Sequence, residues 1–558
     1  MKTIYKYIFV LGVAISMGSC SEQLELYPEA QLSEATFWKT AADFKQAANE
    51  FYFYLPRPQD LTAVTSDSDF ETDDIVNDIS SGTNIVPTTD ARWSRAYSRL
   101  RNVNILLRQA NNYSNPQEIS QFVGEGYLFR AYLNFDLLKT YGQFVVVDEV
   151  LDVDSPQLTA ARNTREESAN SIITDLEAAI PLLPIESAIP DTDKGRMSSQ
   201  AASALLARVA LFEGTWQKFR GNTDRANELL TKAANAANAV ITAGEHELFK
   251  GLGDDSYRYL FVMNGPESNP GGLTKNDLSE HVMVAKYDRI IRSQRGNISH
   301  AMTSYHSSPT KKLLDMYLCE DGLPISQSPL YKGGNPNDPA IDAEFKNRDL
   351  RLSNTFRIPF NEYCPKGQCN IYEPILGSNT LTGYNWIKFV SSEEIQDGEE
   401  GYDSPIIRYA EVLLTYAEAV FERDGMISDA DLNKSLNVVR ARVDMPALTN
   451  AFVNANGLDM RTEIRRERTV ELAAEGQRLI DLKRWKTAEV EMPMDMLGVK
   501  IVGTNYEDDP TAIYPGLKDG YLLFQAASTR NWADKNYLDP MPEDQLNLNP
   551  NLGQNPGW

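Results

Sequence analysis

The stretch Arg408-Tyr409-Ala410-Glu411-Val412-Leu413-Leu414-Thr415-Tyr416-Ala417-Glu418-Ala419-Val420-Phe421-Glu422 decides the fold class. Tyr409, Val412, Leu413, Tyr416, Ala417 and Val420 recur at three- and four-residue steps, one face of a helix, with Glu411, Thr415, Glu418 and Glu422 opposite. Asp424-Gly425 closes the pattern, and a second helical pattern over 428–443 opens within about ten residues. Upstream, Leu128, Ala131, Tyr132, Phe135 and Leu138 repeat the spacing within 124–141 and stop at Tyr141-Gly142. The run 202–212 is apolar nearly all round, which predicts a helix buried between neighbours, and its alanines permit close approach. It is expected to end at Glu213-Gly214, with its partner helix over 223–241. Helices paired across a glycine-marked turn are the unit of tetratricopeptide-type repeats. The signature residues are degenerate, so unrelated helical hairpins fit the same pattern. The expected class is mostly α.

Outward from these helices the texture changes. Lys2 and Lys6, the apolar run 8–17, and Ser16, Gly18 and Ser19 ahead of Cys20 read as a secretory signal peptide over 1–19. The apolar run is about half the length of a membrane span, and Cys20 sits as the acylated cysteine of a bacterial lipoprotein would. Residues 20–33 read as a lipidated tether and 34–558 as one domain. Within it, a helical scaffold is expected over 34–248 and 404–490, a loop-rich segment over 249–403, and an irregular end over 491–558. Thr40-Ala41-Ala42-Asp43 has the form of a capping box, followed by Phe44, Ala47, Phe51 and Tyr54 on one face. From Pro56 to Asp90 a long loop is expected, and Tyr259 to Met263 reads as a short strand. Cys364 and Cys369 bracket a turn-prone loop. A disulfide there is favoured over zinc, for which His246, His281, His300 and His306 are not suitably spaced, and Cys319 is left unpaired.

The 558 residues carry a formal net charge of -24. A field of that sign repels phosphate backbones and excludes nucleic acid as the expected partner. It weighs less strongly against other polyanionic ligands, because a local basic cleft can survive on an acidic protein. No nucleotide-binding loop, Gly-x-Ser-x-Gly elbow or His-Glu-x-x-His motif is present. The carboxylates over 67–74 lack the glycine and terminal glutamate of an EF-hand, so neither a metal nor a cofactor is expected.

Several segments in chain order resemble the SusD/RagB family of outer-membrane nutrient-binding lipoproteins from Bacteroidetes. They include Trp93-Ser94-Arg95-Ala96-Tyr97, Glu125-Gly126-Tyr127-Leu128-Phe129-Arg130-Ala131-Tyr132 and Leu314-Asp315-Met316-Tyr317. They continue with 408–419, Arg466-Glu467-Arg468 through Glu471, Glu475 and Asp481-Leu482-Lys483-Arg484-Trp485, and the closing Gln554-Asn555-Pro556-Gly557-Trp558. The resemblance implies a SusD-like fold, in which tetratricopeptide-like hairpins support a loop-rich ligand face. It implies a lipid-anchored protein at the outer membrane, facing the cell surface. It also implies a TonB-dependent barrel of the SusC type as partner, and oligosaccharide or polysaccharide as a ligand that is bound without being cleaved.

Sugar recognition calls for a flat aromatic against the C–H face and for Asp, Asn or Arg on the hydroxyls. By residue type and loop location the candidates are Asp67, Asp69, Asp73, Asp74 and Trp93 in and after the first loop, and Tyr287, Arg292, Tyr305, Tyr384 and Trp386 in the loop-rich segment. No catalytic residue is assigned. The charged residues of 408–484 alternate in sign, which suits helix-spanning salt bridges better than a glycosidase carboxylate pair. The alternatives are the same fold taking peptides or glycopeptides, and an exported glycoside hydrolase.

Overall fold

The computed structural model describes residues 37–558 except 64–66, 73–76, 304–306, 365–366, 374–379, 397, 505–506 and 508–515. The signal peptide, Cys20 and the tether lie outside the described residues, as do Asp73, Asp74 and Tyr305. Helix α1 (Ala41–Phe51) opens on the expected capping box: the Asp43 carboxylate accepts the Thr40 backbone N–H at 2.7 Å. Then come α2 (Ala91–Ala110), α3 (Ser120–Tyr141), α4 (Arg165–Ala179), α5 (Ser199–Lys218) and α6 (Thr223–Ala243). After the central segment follow α7 (Tyr409–Asp424), α8 (Leu436–Arg442), α9 (Met460–Glu471) and α10 (Arg478–Trp485). Helix α2 packs on α3, α3 on α4, α5 on α6, α6 on α7 and α7 on α9, and together they enclose a mainly helical core. Among the described residues of 249–403 no helix exceeds six residues. Strand β1 (His281–Ala285) within that segment pairs antiparallel with β2 (Ser404–Arg408), which directly follows the segment, and both are buried on both faces. A second core lies within the segment, filled by aromatics such as Phe356, Tyr384, Trp386 and Phe389.

Several local expectations need correction. Gly214 does not end a helix: α5 runs through it to Lys218. A Cβ at Gly214 would stand 3.0 Å from Leu230 and 3.2 Å from Leu229, so the missing side chain is what lets α6 approach closely. Tertiary packing thus overrides the weak helix propensity of glycine. By contrast Gly142 and Gly425, with φ of 80° and 72°, do terminate α3 and α7. The pattern over 428–443 is two helices broken at Ser435, whose hydroxyl donates to the Asp431 carbonyl at 2.5 Å, the local competition that serine offers a helix. Tyr259 to Met263 is the end of a short helix and a turn, buried in the second core, not a strand. Cys364 and Cys369 are joined in a disulfide across a small hairpin, and Cys319 is free and buried.

The two cores are joined by ten buried charges, five of each sign. Glu471 on α9 accepts from Arg442 at 2.6 Å, Arg408 at 3.0 Å and Arg351 at 3.1 Å. Arg408 also reaches Glu280 at 2.5 Å and Glu475 at 2.7 Å, and Glu475 holds Lys388 at 2.7 Å. Arg351 is shared with Asp349 and Glu467 at 2.7 Å each, and Glu467 holds Arg440 at 2.8 Å. Burial alone would raise the Glu471 carboxyl, but Arg442, Arg408 and Arg351 hold it far below the usual carboxylate range. A separate buried cluster locks α7 to α10, with Arg484 donating to Glu418 at 2.5 Å and Asp481 at 2.8 Å, and the Trp485 indole N–H donating to Glu418 at 2.6 Å.

Two outcomes follow from this packing. Gly214→Val should destabilise the protein by about 2 kcal/mol through overpacking against α6, read by denaturant unfolding; an unchanged midpoint would contradict the close-approach account. Burial raises the Glu418 carboxyl, yet Arg484 outweighs that and pulls it to about 2 from 4.5. Because the folded-state value is depressed, its contribution is present above the unfolded value and is lost as pH falls from about 4.5 towards 2, on the order of 3 kcal/mol in all. The stability gap between the native chain and Glu418→Gln should therefore be widest at neutral pH and shrink below pH 4.5. A gap independent of pH would contradict the ion-pair role.

Candidate functional site

A cleft of about 1250 Å³ opens between the helical core and the segment that follows β1. One wall is α2. Its positions 92, 95, 96 and 99 fall on one face by helical spacing, so Arg92, Arg95 and Arg99 form a ladder along the cleft, while Trp93, Leu100 and Val103 point into the core. The floor comes from α3 and α5, including Tyr132, Asp136 and Arg208, the last tied to Glu411 on α7 at 2.5 Å. The far end is formed by Glu475 to Lys483 and by Asp539.

The opposite wall is a loop fastened at both ends. The Tyr287 N–H donates to Asp403 at 3.0 Å, and the Gln294 N–H donates to the Glu400 carbonyl at 2.9 Å. Between them Asp288 and Arg292 bridge their backbones, and the Asp288 carboxylate accepts the Ile290 and Ile291 N–H groups at 2.8 and 2.9 Å. The resulting turn holds Ile290 and Ile291 out in solvent, 94% and 90% exposed. Behind them the Arg292 guanidinium lies between the rings of Phe53 and Tyr287, at 4.6 and 4.7 Å from their centroids. Phe53 is 61% exposed, a flat apolar face fixed by a cation on one side.

The carboxylates of the cleft are mostly engaged. Asp60 pairs with Arg57 at 2.8 Å, Asp136 with Lys139 at 2.9 Å, and Asp539 with Arg92 at 2.8 Å and Lys483 at 3.2 Å. Asp67 differs: it accepts from the Asn77 amide at 2.9 Å, and burial pushes its carboxyl above the usual range. No group of acidic, histidine or cysteine side chains able to hold a metal occurs among the described residues.

The structure brings together three of the residues singled out by sequence, Asp67, Tyr287 and Arg292, on this cleft. Others are placed elsewhere. Trp386 is 0% exposed beside Phe356, and the buried Tyr384 donates its hydroxyl to Glu344 at 2.9 Å, so both fill the second core and present no face to a ligand. Trp93 is 5% exposed and packs edge-on against Tyr141 at 5.3 Å. Asp69 is buried in salt bridges to Lys312 at 2.6 Å and Arg478 at 2.9 Å; burial would raise it, but these cations hold it far below the usual range. Phe53 and the arginine ladder were missed. The spacing of Arg92, Arg95 and Arg99 just after the capping Asp90 was the available signal.

Comparison with known proteins agrees with this architecture. Residues 280–558 match the SusD family model, and residues 27–211 match a model described as starch-binding associating with outer membrane. A SusD-like protein of Formosa agariphila is 24% identical over 99% of both chains, and one of Bacteroides ovatus is 22% identical over 86% of this chain and 82% of its own. Among solved structures, a SusD-like carbohydrate-binding protein from Bacteroides fragilis superposes with a TM-score of 0.74 at 23% identity, covering 93% of this chain and all of the other. A laminarin-binding SusD-like protein superposes with a TM-score of 0.61 at 19% identity, covering 93% and 100%. With a family match over half its length and the shared fold over nearly all of it, this chain belongs to the SusD family.

Proposed function

We propose that this protein is a lipid-anchored, cell-surface glycan-binding protein that captures oligosaccharide and passes it to a TonB-dependent outer-membrane barrel. The observation that carries this reading is the cleft, where an exposed aromatic face at Phe53 stands with arginines and the Asp67 carboxyl around a volume suited to several sugar rings. A ring face would stack on Phe53 while guanidinium groups donate paired hydrogen bonds to hydroxyls. Family membership supports the same reading, since its solved members include carbohydrate-binding proteins and one of its two matching models is described by outer-membrane association. Capture at the membrane fits the lipoprotein pattern ending at Cys20.

Binding without turnover is part of the proposal. Hydrolysis needs an acid and a second carboxylate across the scissile bond. Asp67 has the raised value of an acid, but its carboxylate neighbours in the cleft are held in ion pairs with arginine or lysine.

Titration calorimetry of the full chain in nonionic detergent, against a panel of oligosaccharides and peptides, tests the reading. Binding of a glycan, weakened about tenfold or more by Phe53→Ala and by Arg292→Ala, is the expected result, with no new reducing ends on long incubation. A peptide bound in place of any glycan would redirect the ligand class. Reducing ends that vanish in Asp67→Asn would replace binding with hydrolysis.

A further inference from the structure

The chain carries -24 overall, yet nine Arg or Lys line its cleft against five Asp or Glu. Four of the five carboxylates already sit in ion pairs, and the fifth, Asp67, is the one whose protonated form burial favours. On the other side of the ledger, Arg95, Arg99, Arg292 and Arg295 have no carboxylate within 4 Å among the described residues. Arg95 donates one bond to the Ala91 carbonyl at 3.1 Å, Arg99 lies over the Tyr54 ring at 4.9 Å, and Arg292 donates to the Lys286 and Tyr52 carbonyls at 3.1 and 3.3 Å. Arg95 and Arg99, four residues apart on one helix face, also repel one another, a cost that a bound anion removes.

The geometry points to an acidic oligosaccharide as the preferred ligand: we propose that the Arg95–Arg99 ladder and the Arg292 platform select glycans bearing carboxylate or sulfate groups over neutral ones. This rests on the glycan-binding reading above and narrows it. The Arg95 and Arg99 guanidinium forks match both anions bidentately, which a lysine point charge does not, while Arg292 contributes its charge to the aromatic platform. The acidic exterior does not cancel this, because screening at physiological salt confines its field to about 8 Å, while the ladder sits in contact with any occupant. The clustered, unpaired arginines thus reverse locally what the net charge implies globally.

The experiment uses the full chain in nonionic detergent and three probes of equal length: a neutral β-glucan oligosaccharide, a polygalacturonate oligosaccharide carrying carboxylates only, and a carrageenan oligosaccharide carrying sulfates only. Calorimetry should show at least one acidic probe binding about tenfold or more tighter than the neutral one, with affinity falling steeply as salt rises. Which acidic probe binds tells carboxylate from sulfate. The doubly substituted chain Arg95→Gln, Arg99→Gln should lose that preference while its thermal midpoint stays put. A neutral probe bound as tightly as the acidic ones, with affinity indifferent to salt, overturns this inference and leaves the glycan-binding function standing. Failure of neutral and acidic glycans alike overturns the function and this inference together.

Discussion

The buried ion network centred on Arg408 and Glu471 is the constraint on which the rest of the molecule depends. Its ten charges come from β2, α8, α9 and the turn after it, and from Glu280, Asp349, Arg351 and Lys388 in the central segment. Removing a charge of this kind from water costs several kcal/mol unless partners and hydrogen bonds replace the lost solvent. Here five cations meet five anions, and Glu471 alone accepts from three arginines. Such a network adds little net stability compared with an apolar core, but it is intolerant of misassembly, because any missing partner leaves an uncompensated buried charge. Its role is to fix one mutual arrangement of the helical core and the loop-supported core.

That arrangement is what makes the cleft. Glu475 is part of the network and also lines the cleft, and β1, which begins beside Glu280, leads directly into the loop that carries Tyr287 and Arg292. The arginine ladder stands on a twenty-residue helix whose opposite face is buried in the main core. The groups lining the cleft are therefore supported from two sides by packed elements, while the tip at Ile290 and Ile291 stays in solvent.

The helices were legible from periodicity, and Thr40, Gly142 and Gly425 marked real boundaries because capping is a local backbone matter. Gly214 and Ser435 misled because their roles are set by a neighbouring helix and by a side chain's bond to its own backbone. Four of the ten network charges, Arg408, Glu467, Glu471 and Glu475, were readable in the charged motifs of 408–475. Glu280, Asp349, Arg351 and Lys388 were not, since they lie in loops with no period and acquire meaning only through long-range contact. The same limit explains the site. Composition alone suggests that a loop-rich segment exposes its aromatics, but the segment has its own core, which Tyr384 and Trp386 help to fill. Arg292 and Tyr287 do line the cleft, Arg292 beside the exposed turn at the tip and Tyr287 at its base, where the ring also packs into the main core.

We propose that ligand is held between Phe53 with Arg292 on one side and the Arg95–Arg99 ladder on the other. A crystal structure of the chain with an oligosaccharide it binds tests this most directly. The expected result is a sugar ring stacked on Phe53 and hydrogen-bonded by at least one ladder arginine. An oligosaccharide ordered elsewhere on the surface, with this cleft holding only water, would contradict it.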